Sequence, residues 1–269
     1  IYDNEDINYV LAPTYDWVEI DAREGGPGTH LNSLTDNGNN QDDVETISLP
    51  FTFKFYGQEY DEISICSNGW IAMGDTDLES FRNYQIPGVG GPAKMIAVFW
   101  DDLKLSNGGR VYTWHDQIEK KFYVEWSEVR TYQNNSLETF QAVLYDPSYY
   151  ITPTGDGEIL LQYKEFNNTS YGSYSWDQTH GLYCSVGIED HTMSRGLQYT
   201  FNDTYHPAAM ELSDETAVLI TTRGSDMRLE GDLNYDEVID IYDLMLLVDF
   251  NLGYEGQVNP FFGDINGDG

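Results

Sequence analysis

The residues with the clearest chemical spacing lie near the C-terminus, in the run from Gly231 to Asp243. Oxygen-bearing side chains stand at its first, third, fifth, ninth and twelfth loop positions, namely Asp232, Asn234, Asp236, Asp240 and Asp243. Val238 stands at the seventh position, where a loop of this kind offers its backbone carbonyl. Ca²⁺ binds several oxygen ligands in flexible geometry, so this spacing predicts a calcium site with Ca²⁺ as the cofactor.

The same pattern begins again at Asp264 and continues through Asn266 and Asp268, close to the last residue. These three residues are candidate ligands of a second, incomplete loop. The first loop departs from the pattern at Glu237, where a glycine normally allows a sharp turn. The alternative interpretation is an acidic surface turn that precedes an amphipathic helix.

The duplicated loop, with the apolar run Leu244 to Val248 after its first copy, resembles a type I dockerin. The resemblance implies a small EF-hand-like loop–helix segment over residues 226–269, an extracellular location and a scaffold protein as partner. It also implies recognition through helix positions just after the loop start, which are Ile241 and Tyr242 here. Both are bulky and apolar, so packing within the chain is the alternative for them.

The charge of the chain restricts its partners. Lys and Arg number 13 against 46 Asp and Glu, for a formal net charge of −33. Nucleic acid and anionic membrane surfaces both require cationic patches, so neither is an expected partner, whereas cations are. No run approaches the ~18 consecutive apolar residues of a membrane helix, and we expect no direct membrane insertion.

Short strand-like runs fill the chain between Val18 and about Thr222. In one of them, Phe122, Val124 and Trp126 share a face and polar groups share the other, a period of two that predicts a half-buried antiparallel strand. Nine or more such runs, without helices between them, predict a mainly β fold of jelly-roll type, an antiparallel β-sandwich over residues 14–225.

One succession of these runs carries a family resemblance. It leads from Phe51 through Ser67-Asn68-Gly69-Trp70 and Ile86-Pro87-Gly88 to the segment from Met95 to Leu103. Over roughly Leu49 to Phe201 it is similar to nidogen-like domains and to β-sandwich modules of large secreted bacterial proteins. The resemblance implies an extracellular, non-catalytic module and supplies no catalytic residues.

The N-terminal residues 1–13 allow three interpretations: the first strand of the sandwich, a disordered arm, or a strand that pairs with a neighbouring subunit. Strand addition supplies main-chain hydrogen bonds to an exposed sheet edge. The sequence does not choose among the three.

Two cysteines and four sequons could carry modifications that are found in exported proteins. Cys66 and Cys184 are either a disulfide, as exported proteins often have, or two buried thiols. Asn134, Asn167, Asn168 and Asn202 each begin an Asn-x-Ser/Thr triplet and are candidate glycosylation sites.

Catalysis has little support, because the five histidines are scattered and no nucleophile motif is present. Glu125 is the best carboxylate candidate for glycosidase chemistry, and its strand pattern explains it equally well. The aromatic run that contains Tyr171, Tyr174 and Trp176 is a candidate glycan contact or a packed loop. The acidic run from Asp36 to Asp43 is a further cation site or a simple turn.

These features favour an extracellular, non-catalytic structural or adhesive module that is stabilised by Ca²⁺. It would assemble on a cell surface or in a matrix, with itself as a filament subunit or with a cell-surface or scaffold protein. The alternatives are an accessory C-terminal region of a secreted protease or glycoside hydrolase, and a carbohydrate-binding module attached through a dockerin. Glycans are therefore further candidate partners.

Overall fold

The structure is a computed structural model that describes residues 1–38, 41–169, 182–224 and 241–251. The chain divides into two compact units, one of Ile1–Asn4 and Pro13–Arg223 and the other of Glu5–Ala12 and Gly224–Gly269. The first unit holds the strands, and the second holds the helix α1 (Ile241–Asn251). Within these ranges none of the helices has the length and apolar character of a membrane span.

Fifteen strands form the described part of the first unit. They are β1 (Tyr2–Asp3), β2 (Thr29–His30), β3 (Val44–Phe55), β4 (Gln58–Cys66), β5 (Trp70–Met73), β6 (Met95–Trp100), β7 (Leu103–Lys104), β8 (Arg110–Asp116), β9 (Lys121–Thr131), β10 (Leu137–Tyr145), β11 (Ile159–Phe166), β12 (Ser185–Glu189), β13 (Gly196–Phe201), β14 (Thr204–Tyr205) and β15 (Thr216–Ile220). A short 3-10 helix, Ser106–Gly108, lies between β7 and β8.

The strands form two antiparallel sheets. The first sheet has the order β1-β15-β11-β10-β9-β8-β2, with β7 also paired to β9, and the second has the order β14-β13-β12-β6-β5-β4-β3. Strands β8 to β11 lie side by side in chain order, as do β3 to β6. The mainly β sandwich is therefore confirmed, while its jelly-roll type stays a prediction.

The core lies between the facing sides of the two sheets. The ring of Phe140 on β10 stacks against Phe99 on β6 and Trp126 on β9, with centroids 5.2 and 5.1 Å away. The hydroxyl of Tyr163 on β11 donates a hydrogen bond to the carbonyl of Val98 on β6 at 2.8 Å. All of these side chains are buried, and each large apolar one contributes about 1.5–3 kcal/mol by its removal from water.

The polar face of β9 is buried as well, which corrects the expectation of a half-buried strand. Phe122, Val124 and Trp126 face the core as expected, but Glu125 is 0% exposed and Ser127 is also buried. The reason is a covering segment, residues 15–21, which we call the strap. Its backbone hydrogen-bonds to side chains of the first sheet.

A second apolar layer covers the outer face of the second sheet. Its buried members are Cys66, Trp70, Ala72, Ile86, Met95, Ala97 and Trp100. The indole N–H groups of Trp70 and Trp100 both donate to the carbonyl oxygen of Ser80, at 2.9 and 3.0 Å. These two bonds hold the connection between β5 and β6 against the sheet.

The N-terminal residues join the edge of the first sheet. Tyr2 and Asp3 pair with Leu219 and Val218 of β15, which corresponds to the first of the three interpretations for residues 1–13. The pairing is only two residues long, and Glu5–Ala12 belong to the second unit.

Candidate functional site

Of the residues named for calcium, Asp243 lies within the described ranges. It stands in the first turn of α1 and is 3% exposed. The others lie outside the described residues, namely Asp232, Asn234, Asp236, Val238, Asp240, Asp264, Asn266 and Asp268. The calcium sites therefore stay predictions.

Five apolar side chains of α1 are exposed, although its acidic residue Asp243 is buried. They are Ile241, Tyr242, Leu244, Met245 and Val248, which we call the helix surface, and they are between 47% and 63% exposed. Positions 241, 244, 245 and 248 have the spacing of one helical face. For Ile241 and Tyr242, both recognition of a partner and packing within the chain stay predictions.

Hydrogen bonds tie the loop of residues 36–43 to the connection between β4 and β5. The hydroxyl of Ser67 donates to Asp36 Oδ2 at 2.7 Å, and the side-chain amide of Asn68 donates to Asp42 Oδ1 at 2.9 Å. Burial raises the pKa of Asp36 to about 6 and also raises the pKa of Asp42. Within the described part of the chain no three His, Cys, Asp or Glu side chains are placed to hold a metal ion. Both interpretations of this loop, a cation site and a simple turn, stay predictions.

An open groove of about 540 Å³ lies beside the connection between β5 and β6. Its lining includes Phe81, Arg82, Tyr84 and Val89, and the guanidinium of Arg82 lies over the ring of Phe81, 5.3 Å from the centroid. Val89 is 79% exposed. The groove could not be predicted from the sequence, because its residues have no regular spacing and are brought together by a loop.

A row of polar side chains crosses the outer face of the first sheet. Gln162 on β11, Gln141 on β10 and Glu125 on β9 occupy cross-strand paired positions, and each is at most 1% exposed. Gln162 Nε2 donates to Gln141 Oε1 at 3.2 Å. Glu125 is a candidate residue from the sequence, whereas the two glutamines are not, because their alternation with apolar residues matches that of a solvent-facing side.

This row binds the backbone of the strap at every second residue. The side chain of Gln162 makes two bonds to Asp16: its Oε1 accepts from the N–H at 2.8 Å and its Nε2 donates to the carbonyl at 3.1 Å. Gln141 Nε2 donates to the Val18 carbonyl at 3.1 Å. Glu125 Oε2 accepts from Ile20 N–H at 3.3 Å. The side chains of the sheet thus replace a strand partner for the extended chain above them.

An ion pair fixes the end of the strap. Arg23 contacts both carboxylate oxygens of Asp21 and donates to the carbonyl of Gly108 at 2.6 Å. Ser127 on β9 donates to Asp21 Oδ2 at 2.7 Å. Burial acts to raise the pKa of Asp21, but these hydrogen bonds from Arg23 and Ser127 lower it below its usual range.

Glu125 lies beneath the strap, where burial raises its pKa to about 9. The nearby carboxylate of Glu19 adds to this rise in pKa, while the Ile20 N–H and the Lys164 ammonium oppose it. The pKa of the neighbouring Glu19 lies below its usual value. Burial acts to raise this pKa, but hydrogen bonds from Lys164 and from the Asp21 N–H lower it further than burial raises it. Two carboxylates with opposite shifts can serve acid and base roles, yet Glu125 is sealed from solvent, so this geometry favours a structural role for it.

The two cysteines are free thiols, which corrects the disulfide alternative. Cys66 ends β4 and Cys184 precedes β12, and both are buried. Strands β5 and β6 lie between β4 and β12 in the second sheet. At about 4.8 Å per strand spacing, the two residues are too far apart for the ~7 Å limit between bridged Cα atoms.

The four sequons differ in accessibility. Asn202 and Asn167 are exposed, whereas Asn168 is buried and its Oδ1 accepts from Cys184 N–H at 3.0 Å. The side-chain amide of Asn134 donates to the hydroxyl of Thr169 at 2.6 Å. Asn202 is the sequon best placed for modification. The predicted glycan contacts Tyr171, Tyr174 and Trp176 lie outside the described residues.

A family model described as NIDO related matches residues 12–226, well over half of the chain. The match includes the segment from Leu49 to Phe201 that resembles nidogen-like domains. No curated protein and no solved structure gives a significant match.

Proposed function

The chain belongs to the NIDO related family, and from that premise we propose that it is an extracellular, non-catalytic structural or adhesive module of a bacterial surface or matrix. Its β-sandwich, of jelly-roll type, is the rigid body of the module. Its C-terminal segment is a dockerin-like calcium-binding element, through which copies of the chain assemble with one another.

The observation that carries this proposal is the helix surface. Five exposed apolar side chains on an 11-residue helix include a tyrosine and a methionine, two residue types enriched in protein interfaces. Their contact with water is unfavourable by about 25 cal/mol for each Å², so burial against a partner is favourable. Large exposed apolar patches of this kind mark interaction sites.

Calcium has a second role in this proposal. Two copies that each carry a formal charge of −33 repel one another. Ca²⁺ bound between Asp232 and Asp243 would neutralise part of that charge and order the loop before α1, because clustered carboxylates repel when no cation is bound. Assembly through α1 should therefore require calcium.

Sedimentation velocity with Ca²⁺ and with chelator tests the proposal. We expect larger species in Ca²⁺ and a monomer in chelator, and filaments or discrete oligomers by electron microscopy of the Ca²⁺ sample. The double variant Tyr242→Ser/Val248→Ser should stay monomeric in Ca²⁺. Ile118→Ser is the matched control, because Ile118 is an apolar side chain of the sandwich that is 86% exposed. A wild-type chain that stays monomeric in Ca²⁺ over the full concentration range would contradict self-assembly.

A second candidate function, glycan binding, is favoured by the groove of Phe81, Arg82 and Tyr84. Concave sites with aromatic walls and a few polar groups suit small ligands such as sugar rings. Glycan-array binding that is lost in Phe81→Ala and retained in Tyr149→Ala, a change at a side chain 63% exposed elsewhere, would support it. Equal signals for all glycans on the array would contradict glycan binding as a function.

A further inference from the structure

The strap is held differently from every strand beneath it. Four of its backbone hydrogen bonds go to side chains of three strands beneath it. The carbonyls of Ile20 and Asp21 also accept from Gly28 N–H and Gly26 N–H of the turn that follows, at 2.9 and 2.8 Å. A ladder between two backbones has no titratable member, but the attachment of the strap to the sheet includes the carboxyl group of Glu125. One of its four bonds to the sheet therefore depends on the protonation of that group.

The surroundings of Glu125 favour its neutral form. Among the described residues its Oε1, which is buried, has no hydrogen-bond partner, and its Oε2 accepts one long bond, 3.3 Å from Ile20 N–H. An ionised carboxylate in this position would be a buried charge with a single weak donor, which is costly. Water that reaches the ionised carboxylate would stabilise this charge at the lowest cost in free energy. Water can enter only if the strap moves.

The charged and titratable groups around Glu125 come from the strap and from the sheet. On the strap are the carboxylates of Glu19 and Asp21 and the phenol of Tyr15, and on the sheet are Tyr112 of β8, which pairs with Glu125, and Lys164 of β11. Lys164 is the nearby cation that favours ionisation, and it is already bound to Glu19 at 2.6 Å. The carboxylates of Glu19 and Asp21 therefore oppose a third negative charge, on Glu125, beside this cation.

We propose that residues 15–21 form a proton-controlled strap, which lies closed over the polar row while Glu125 is neutral and opens at Ile20 when Glu125 ionises. Asp16 and Val18 remain bound to the two glutamines, which do not titrate. The Asp21–Arg23 ion pair holds the far end, so opening is local and leaves the sandwich folded.

The direction follows from the raised pKa of about 9, which is caused first by burial and then by Glu19. A carboxyl group whose pKa is raised on folding contributes stability at low pH, and that contribution is lost as the pH rises through the folded value. The strap should therefore be closed in acid and should open more often as the pH rises from the ordinary pKa of a carboxyl group towards about 9. Over that range each pH unit should raise the ratio of open to closed forms by up to about tenfold, and above about pH 9 the ratio should level off.

Hydrogen exchange of the peptide that contains residues 15–21, followed by mass spectrometry, tests the proposal in the full-length chain. Protection factors corrected for the intrinsic rate should fall by up to about tenfold between pH 7 and 8 in the wild type and should level off above about pH 9. Glu125→Gln, which is neutral and of the same shape, should keep its protection over this range. Glu119→Gln, a change at an exposed acid, should behave like the wild type.

Two further variants should move, in opposite directions, the pH at which protection stops falling. Glu19→Gln removes the carboxylate that most raises the pKa of Glu125 after burial, so protection should level off at a lower pH. Lys164→Met removes the cation that favours ionisation, so protection should level off at a higher pH. The proposal is overturned if wild-type protection of the strap does not change with pH, if Glu125→Gln loses protection as the wild type does, or if both other variants move this pH in the same direction.

Discussion

The carboxylate of Asp3 accepts a hydrogen bond from the hydroxyl of Tyr199 at 2.9 Å, although the two residues are 196 positions apart in the chain. Asp3 lies on β1 at the edge of the first sheet and Tyr199 lies on β13 of the second. The same Asp3 oxygen accepts from Met210 N–H at 3.0 Å. One buried carboxylate thus links the N-terminus to both layers of the sandwich.

Loss of this link should destabilise the sandwich. Tyr199→Phe should lower the free energy of unfolding by about 1–2 kcal/mol, because it removes the hydroxyl that Asp3 accepts from. Asp3→Ala should cost about 1–3 kcal/mol more, because it also leaves the Met210 N–H buried without its acceptor. Urea denaturation measures both, and Tyr149→Phe, at an exposed tyrosine, should change the value by less than about 0.5 kcal/mol. Equal values for all three variants would contradict the role of Asp3.

Two glycines with nearly the same backbone conformation should respond differently to alanine. Gly69 and Gly57 have φ values of 75° and 78°. A Cβ atom on Gly69 would lie 2.0 Å from the carbonyl oxygen of Phe99, whereas a Cβ atom on Gly57 would meet nothing within 4 Å. We expect Gly57→Ala to cost about 1 kcal/mol from the left-handed backbone alone and Gly69→Ala to cost more than about 3 kcal/mol from the added clash. Similar melting temperatures for the two variants would show that the space around Gly69 does not matter.

The stability of the sandwich should be greatest in mild acid. Burial raises the pKa of Asp36 to about 6, of Glu138 and Glu189 to about 7, and of Glu125 to about 9. Each raised group contributes stability that is present below its ordinary pKa and decreases by up to about 1.4 kcal/mol per pH unit until the folded value is passed.

Asp21 has a lowered pKa, so its contribution behaves in the opposite way and is lost only as the pH falls below about 4. Melting temperatures in chelator, measured from pH 3 to 10, should therefore peak near about pH 4–5 and fall through neutrality. A peak at pH 8 would refute this assignment, and Glu125→Gln should flatten the alkaline side.

Cys66 and Cys184 should not react in the folded protein. Burial raises the pKa of both thiols, and the thiolate is the reactive form. A thiol reagent should label neither cysteine in buffer and both in denaturant, and a reducing agent should leave the melting temperature unchanged. An intact mass two protons lower before reduction would instead indicate a bridge.

The strands were predictable where apolar and aromatic residues are continuous or alternate. The alternating residues Phe122, Val124 and Trp126 lie on β9 and face the core as predicted. The strand Arg110–Asp116 has no such pattern, because its charged ends and central Thr113 give no regular period.

The burial of the polar row was not predictable in the same way. Gln141 and Gln162 alternate with apolar residues as solvent-facing side chains do, and their burial depends on a strap more than 120 positions away in the chain. The same limit applies to the groove at Arg82. Local pattern reports which side chains share a face, but it does not report what covers that face.

The indoles bonded to Ser80 give the sandwich two separate optical reporters. Trp70 and Trp100 lie in the outer layer, whereas Trp126 lies in the central core and donates to the carbonyl of Cys66 at 2.9 Å. Detachment of the connection between β5 and β6 would change the emission of the first pair and leave the third unchanged. Fluorescence of single-tryptophan variants can therefore distinguish a local opening of one surface from the unfolding of the whole sandwich.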